Sequence, residues 1–213
     1  MIHPHTELRI ISETVGYGIF ANKRIPKGTI TYIKDELELV FKPTDIRLKD
    51  KKYFDIIERF SYIDNKGNRI LSWDLSKYVN HSCNANTMST GYDFEIALRD
   101  IEAGEQLTDE YGIFNLITDM HCECGEPNCR KTIRKNDFDI FYKEWDTRIK
   151  QSLSFLKKVE QPLLPFMDQK TKEQLEKYLQ EGKPYKSVYN LRLKKELNGL
   201  ANPHELNFLL KHK

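Results

Sequence analysis

Residues 77–88 read KYVNHSCNANTM. The stretch sets Cys83 just after an Asn–His pair, Asn80 and His81, and far upstream of the other three cysteines. Those are Cys122, Cys124 and Cys129, in HCECGEPNCRK (121–131). Four thiolates satisfy the tetrahedral preference of zinc, and sites ligated only by cysteine are usually closed and structural. The C-x-C spacing is tighter than the common C-x-x-C knuckle, but Gly125 and Pro127 supply a bend that returns Cys129 to the same ion. Cys83 is then the long-range ligand that ties the tail to the core. Disulfides, free thiols, and His121 in place of one cysteine are the competing readings of these residues. A nucleophilic Cys83–His81 pair is disfavoured, because a thiolate held by a metal is not free to attack.

Around this stretch the chain changes character near residue 134. Before it, short β-rich runs alternate with turn signals: LRIISE, YGIFA, ITYI, FSYIDNKGNRILS and DFEIALRDIEAGEQLT. Asn65 to Asn68 and Glu102 to Gly104 read as turns. Lys49 to Arg59 reads as the one helix of this half, with Tyr53, Ile56, Ile57 and Phe60 on its apolar side. Many short strands with few long helices predict a β-rich fold of small sheets.

After Arg134 the period is helical. Phe138, Phe141, Trp145, Ile149, Leu153 and Leu156 recur at three and four, predicting a helix that Pro162 and Pro165 end. Thr171 with Gln174 predicts a capping box for a second helix carrying Leu175, Tyr178 and Leu179. Gly182 to Pro184 separates it from a segment running from Ser187 to about Leu197, and Pro203 precedes a short terminal one.

The bulk composition limits the functional classes. The 213 residues carry 34 basic and 32 acidic side chains, a formal charge of +2. That balance gives no reason to expect direct nucleic acid binding. The start MIHPHTELRI lacks the basic and apolar regions of a signal peptide, and no run approaches a membrane span. A reducing, cytoplasmic home is the expectation, or a nuclear one for a eukaryotic or host-targeted chain.

Two further segments carry chemistry-bearing residues. GYGIFANKRIPKG (16–28) puts Gly16 and Gly18 around Tyr17, where two residues without Cβ let backbone approach a ligand. It lacks the third glycine and following helix of a dinucleotide fingerprint, so a nicotinamide reading fails. GEQLTDEYG (104–112) ends in Tyr111 beside Asp109 and Glu110. Alone, each reads as a turn or a packing residue.

Together, GYGIFANKRIPKG, YVNHSCNAN (78–86), GEQLTDEYG and CECGEPNCR (122–130) resemble, in order and spacing, a SET domain with its post-SET cysteine tail. The resemblance covers roughly residues 5 to 133, and no cysteine-rich pre-SET cluster precedes it. It implies a mainly β SET-type fold of several small sheets, with a pseudoknot, a zinc-pinned post-SET loop and an α-helical C-terminal extension. The implied organisation is a SET domain over 1–118, a post-SET zinc segment over 119–133 and the helical extension over 134–213.

The resemblance further implies methyl transfer from S-adenosylmethionine to a lysine ε-amine in a protein or peptide substrate. Gly16, Tyr17 and Gly18 correspond to the segment that wraps the methyl donor, and Asn80 and His81 to the pair beside its adenosyl part. Tyr111 corresponds to the catalytic tyrosine at the lysine channel. Cys83, Cys122, Cys124 and Cys129 correspond to the ligands of one structural zinc. The chain departs from the family pattern at Lys34, where an aromatic side chain is expected, with Tyr32 one pleat away on the same strand face. It departs again at Asp109, a position usually Phe or Tyr and tied to product multiplicity, and at Lys131, where glycine is common. Mono- or dimethylation is the expected product. The alternative function is a non-catalytic SET-like binding module stabilised by zinc.

Overall fold

The computed structural model describes residues 1–194. The chain opens with an antiparallel hairpin of β1 (Thr6–Ser12) and β2 (Gly16–Ala21). Next come β3 (Ile30–Ile33), β4 (Leu39–Phe41), helix α1 (Lys51–Phe60), β5 (Ser61–Ile63) and β6 (Arg69–Leu71). Then β7 (Asn80–His81), β8 (Thr87–Ser89), β9 (Phe94–Ala97) and β10 (Thr108–Asp109) follow, and after them β11 (Met120–His121) and β12 (Thr132–Ile133). Helices α2 (Asp137–Leu153) and α3 (Gln169–Glu181) complete the ordered elements.

The strands make five small sheets. Two have three strands, ordered β3-β9-β8 and β4-β6-β5, and β11 pairs with β12. The last, β7 beside β10, is parallel: Asn80 stands opposite Thr108 and His81 opposite Asp109.

One core joins the sheets to the C-terminal helices. Ile30, Ile33, Phe94 and Ile96 from the β3-β9-β8 sheet pack with Phe138, Trp145, Ile149 and Leu153 of α2, and with Leu175 of α3. A second cluster, built on Ile19, Ile25, Ile101 and Leu107, backs the hairpin. The described residues are therefore mixed α/β. The mainly β expectation underweighted the tail, whose helical stripe is buried in the same core as the sheet.

Several local expectations are corrected. The α1 helix starts two residues later than predicted because Asp50 caps it, accepting from the Lys52 N–H at 2.9 Å. Of its predicted apolar side Ile57 alone is fully buried, while Tyr53 and Ile56 are exposed. Helix α2 stops at Leu153, before either proline, and Leu156 lies in a separate 3₁₀ turn. The α3 cap is Asp168, not Thr171: its carboxylate accepts from the Thr171 N–H at 3.0 Å. A carboxylate at that position also favours the helix dipole. Ser187 caps a 3₁₀ turn over Val188–Leu191. The turn ends at Arg192 in extended backbone, and residues 195–197 of the predicted segment, with the one after Pro203, lie outside the described residues.

Candidate functional site

The short parallel ladder of β7 and β10 is the partition of the site. Asn80, His81 and Thr108 line one cavity while Val79 and Asp109 line another. The first cavity has a volume of about 610 Å3 and the second about 320 Å3. Their linings share Met120 and His121, on β11.

Asn80 and His81 line the larger of the two, with Asn86, Arg99 and Gln106. Its rim comes from Ile11 and Val15, on either side of the β1–β2 turn. Gly16, Tyr17 and Gly18 do not line this cavity; they run along β2 behind the rim. The Asn80 side-chain amide donates to the Tyr17 carbonyl at 2.9 Å, which fixes that strand to β7. Gly18 lets three side chains close over this contact. A Cβ there would meet Ile11 Cδ1 at 2.5 Å and the side chains of Asn80 and Gln106 at 3.0 Å each. The Tyr17 ring is half exposed and packs edge-on against Tyr78.

His81 bridges three groups. Its Nε2 lies 3.4 Å from Cys83 Sγ, and its Nδ1 lies 3.0 Å from the Asp109 carbonyl and 3.2 Å from the Tyr111 N–H. Burial first, and then the neighbouring Arg130, push the imidazole down to about 4, so it is neutral at pH 7. With its proton on Nδ1 the ring donates to the Asp109 carbonyl; with it on Nε2, Nδ1 accepts from the Tyr111 N–H instead.

Tyr111 lines the smaller cavity with Tyr32, Tyr62 and Phe114, and with four acids, Glu58, Glu95, Asp109 and Asp119. Its hydroxyl donates to the Val79 carbonyl at 2.7 Å. Burial, then Asp109 and Glu95, raise its pKa far above the ordinary value for a phenol. Tyr111 is therefore a neutral hydrogen-bonding group and not a base. Lys34, at the departure from the aromatic pattern, does not reach this cavity; it lines a neighbouring one of about 680 Å3. Tyr32 faces both cavities, with its hydroxyl donated to Glu38 at 2.6 Å. Tyr62 packs on Phe114 with ring centroids 5.3 Å apart.

The four cysteines converge. Their sulfurs all lie within 4.8 Å of one another, with 3.8 Å between Cys83 and Cys122 and 3.6 Å between Cys122 and Cys129. A tetrahedron of Zn–S bonds of about 2.3 Å has edges of roughly 3.8 Å. All four are free thiols, which sets the disulfide reading aside. His121 is exposed, its ring directed to Glu123 at 3.3 Å, so it is no substitute ligand. The backbone N–H groups of Arg130 and Lys131 point at Cys83 and Cys129, each at 3.4 Å. The Lys131 N–H is the main reason that Cys129 is drawn down to about 7. Four such thiols fit a thiophilic cation, whose binding displaces their protons.

Sequence reading missed two residues. Arg130 clamps the cysteine loop to the core, bonding Glu110 at 2.6 Å and Asp137 at 2.9 Å, both buried. Glu95 lines the same cavity as Asp109, and its charge raises the Asp109 carboxyl. An acid inside the otherwise apolar strand FEIA was the one available signal for it.

Residues 16–112 match the SET domain family profile. The chain is 30% identical over 141 residues to the variant-silencing SET domain-containing protein of Plasmodium falciparum, covering 55% of this chain and 5% of that protein. It is 32% identical over 142 residues to the histone-lysine N-methyltransferase ASHH3 of Arabidopsis thaliana, covering 58% of this chain and 37% of that one. Among solved structures, KRYPTONITE in complex with mCHG DNA and SAH is similar at a TM-score of 0.43 and 18% identity, covering 61% of this chain and 29% of that chain. The chain thus spans well under two thirds of the length of these relatives. With the profile match over 16–112 and its four cysteines in one cluster, the chain belongs to the SET domain family.

Proposed function

We propose that this chain transfers a methyl group from S-adenosylmethionine to the ε-amine of a lysine in a protein substrate. The observation that carries this reading is the pair of cavities across the β7–β10 ladder, one lined by Asn80 and His81 and the other by Tyr111. A displacement at a sulfonium methyl needs the nucleophile and the donor on opposite sides of a narrow passage, and alignment supplies most of the rate. Asn80 and His81 would hold the adenosyl part, with Gly16, Tyr17 and Gly18 keeping the adjoining wall close. The bound donor supplies the electrophilic methyl. Tyr111 orients the amine, and the aromatic walls of Tyr32, Tyr62 and Phe114 favour its neutral form. The printed activity of the Arabidopsis relative supports a lysine substrate.

One zinc held by Cys83, Cys122, Cys124 and Cys129 would pin the loop over 119–133, which supplies Met120 and His121 to both cavities. The parallel pairing of Asn80–His81 with Thr108–Asp109 supports a threaded crossing of the chain there. We further propose a domain division near residues 118 and 133, with α2 and α3 as a buttress. Among the described residues no helix is long and apolar enough to cross a membrane.

Calorimetric titration with S-adenosylmethionine, alongside labelled-methyl transfer to a lysine peptide library, tests the reading. Saturable binding that weakens at least about tenfold in Asn80→Ala is expected, together with label on lysine side chains. Wild-type protein that never binds the donor would leave a non-catalytic module in its place.

A further inference from the structure

The Tyr111 cavity holds two carboxyls that the methyl-transfer reading leaves without a task. Asp109 is 1% exposed, and its Oδ1 accepts the Glu110 N–H at 2.7 Å. Its Oδ2 meets no donor among the described residues. Glu95 comes from β9, directly opposite Tyr32, and accepts weakly from the Ser89 hydroxyl at 3.5 Å. Tyr32 and Tyr62 flank it from β3 and β5, and Tyr111 from the turn after β10, with Asp74, Glu110 and the N-terminal amine at longer range. No cation among the described residues hydrogen-bonds either carboxyl. Asp109 is buried and Glu95 half-buried in one cavity, and an ionised Glu95 there holds the proton on Asp109.

We propose that Asp109 keeps that shared proton and that Glu95 is the acceptor of the proton carried in by the substrate ammonium. The proposal rests on the lysine methyl-transfer reading. In the step, the N–H bond of the ammonium breaks, its electron pair stays on nitrogen, and an O–H bond forms on Glu95. A neutral amine and a neutral carboxyl result, so charge balances, and the nitrogen lone pair is free to take a methyl. Glu95 also lines the open cavity of about 680 Å3 on its far side, which gives the proton a way out to water before the next cycle. Burial raises Glu95 to about 7, a value suited to accepting a proton near neutrality.

Two measurements on the full chain test this. In the first, side-chain carboxyl carbons are followed by NMR across pH. One carboxyl should titrate near pH 7 and be lost in Glu95→Gln, and its midpoint should rise by at least one pH unit in Asp109→Leu, which removes the donor that favours the Glu95 carboxylate. Both carboxyls already ionised at pH 5 would overturn the shared proton. In the second, single-turnover methyl transfer is recorded against pH. The wild-type rate should climb through pH 7, and Glu95→Gln should lose that limb and at least tenfold in rate at pH 7.5 with donor affinity unchanged. Superimposable wild-type and Glu95→Gln profiles would overturn the acceptor role. Wild type that moves no methyl to lysine while showing the expected titration would remove the reaction and the acceptor role together and leave the shared proton standing.

Discussion

The Tyr111 hydroxyl donates to the Val79 carbonyl at 2.7 Å, tying the residue two beyond β10 to the residue just before β7. The bond fixes the phenol at the edge of the partition between the two cavities. Tyr111→Phe removes that one donor while the ring still packs on His81 and Phe114. Methyl transfer should fall at least about 100-fold, with donor affinity within about threefold of wild type. Single-turnover rates and calorimetry on the same preparations check both halves.

Removing Cys83 should empty the metal site. Cys83 joins the segment after β7 to the loop carrying the other three ligands, and His81 bonds its sulfur. Elemental analysis should find about one zinc per wild-type chain and little in Cys83→Ala. The variant should unfold several kcal/mol more easily, since structural metal binding is folding free energy. Undiminished zinc in the variant would refute the ligand set.

The strap after α3 is seated by a residue with no side chain. A Cβ on Gly91 would lie 2.2 Å from the Lys186 carbonyl oxygen and 2.6 Å from that of Ser187. Asp146 of α2 anchors the same strap, accepting from Tyr185, Ser187 and the Val188 N–H. Gly91→Ala should cost about 1–3 kcal/mol by overpacking against rigid backbone. Hydrogen exchange at the Val188 amide should accelerate in the variant, while the Cys122 amide, far along the chain, keeps its wild-type rate.

Stability should fall with rising pH because of the carboxyl pair. Glu95 is raised from its ordinary value to about 7, by burial first, and Asp109 is raised further. The folded state therefore holds these protons more tightly than the unfolded chain. Their contribution is fully present below the ordinary carboxylate range and is lost as pH climbs through about 7. Glu95→Gln, which has no charge to desolvate, should gain on wild type between pH 5 and 8, by on the order of 1–3 kcal/mol at the upper end. Denaturant midpoints at several pH values measure the difference, and parallel curves for the two proteins would contradict it.

Much of the metal cluster was legible because its determinants are local. Cys122, Cys124 and Cys129 lie within eight residues, and a bend at Gly125 and Pro127 is enough to bring them together. Breakers and periodicity likewise set the α2 stripe, where Phe138, Trp145, Ile149 and Leu153 are all buried. Capping was harder to read. Thr171 and Asp168 are both competent N-cap residues, and which one starts α3 depends on where the preceding 3₁₀ turn delivers the chain. The exposed Tyr53 and Ile56 show the same limit, since an amphipathic pattern does not say which element will cover it.

By itself the sequence determined the motif set, the cysteine grouping and the helical character of the tail, all of which depend on residues near one another in the chain. Tertiary structure alone decided the relations across the site. The register of β7 on β10 places Asn80 and Tyr111 on opposite sides of one ladder. The pairing of β3 with β9 sets Tyr32 opposite Glu95 and leaves Lys34 outside the Tyr111 cavity. Glu95 of β9 and Asp109 of β10 meet only in the cavity that their strands line together. A strand's alternation tells which residues share a face, but only its partners and the packing above them decide what that face meets.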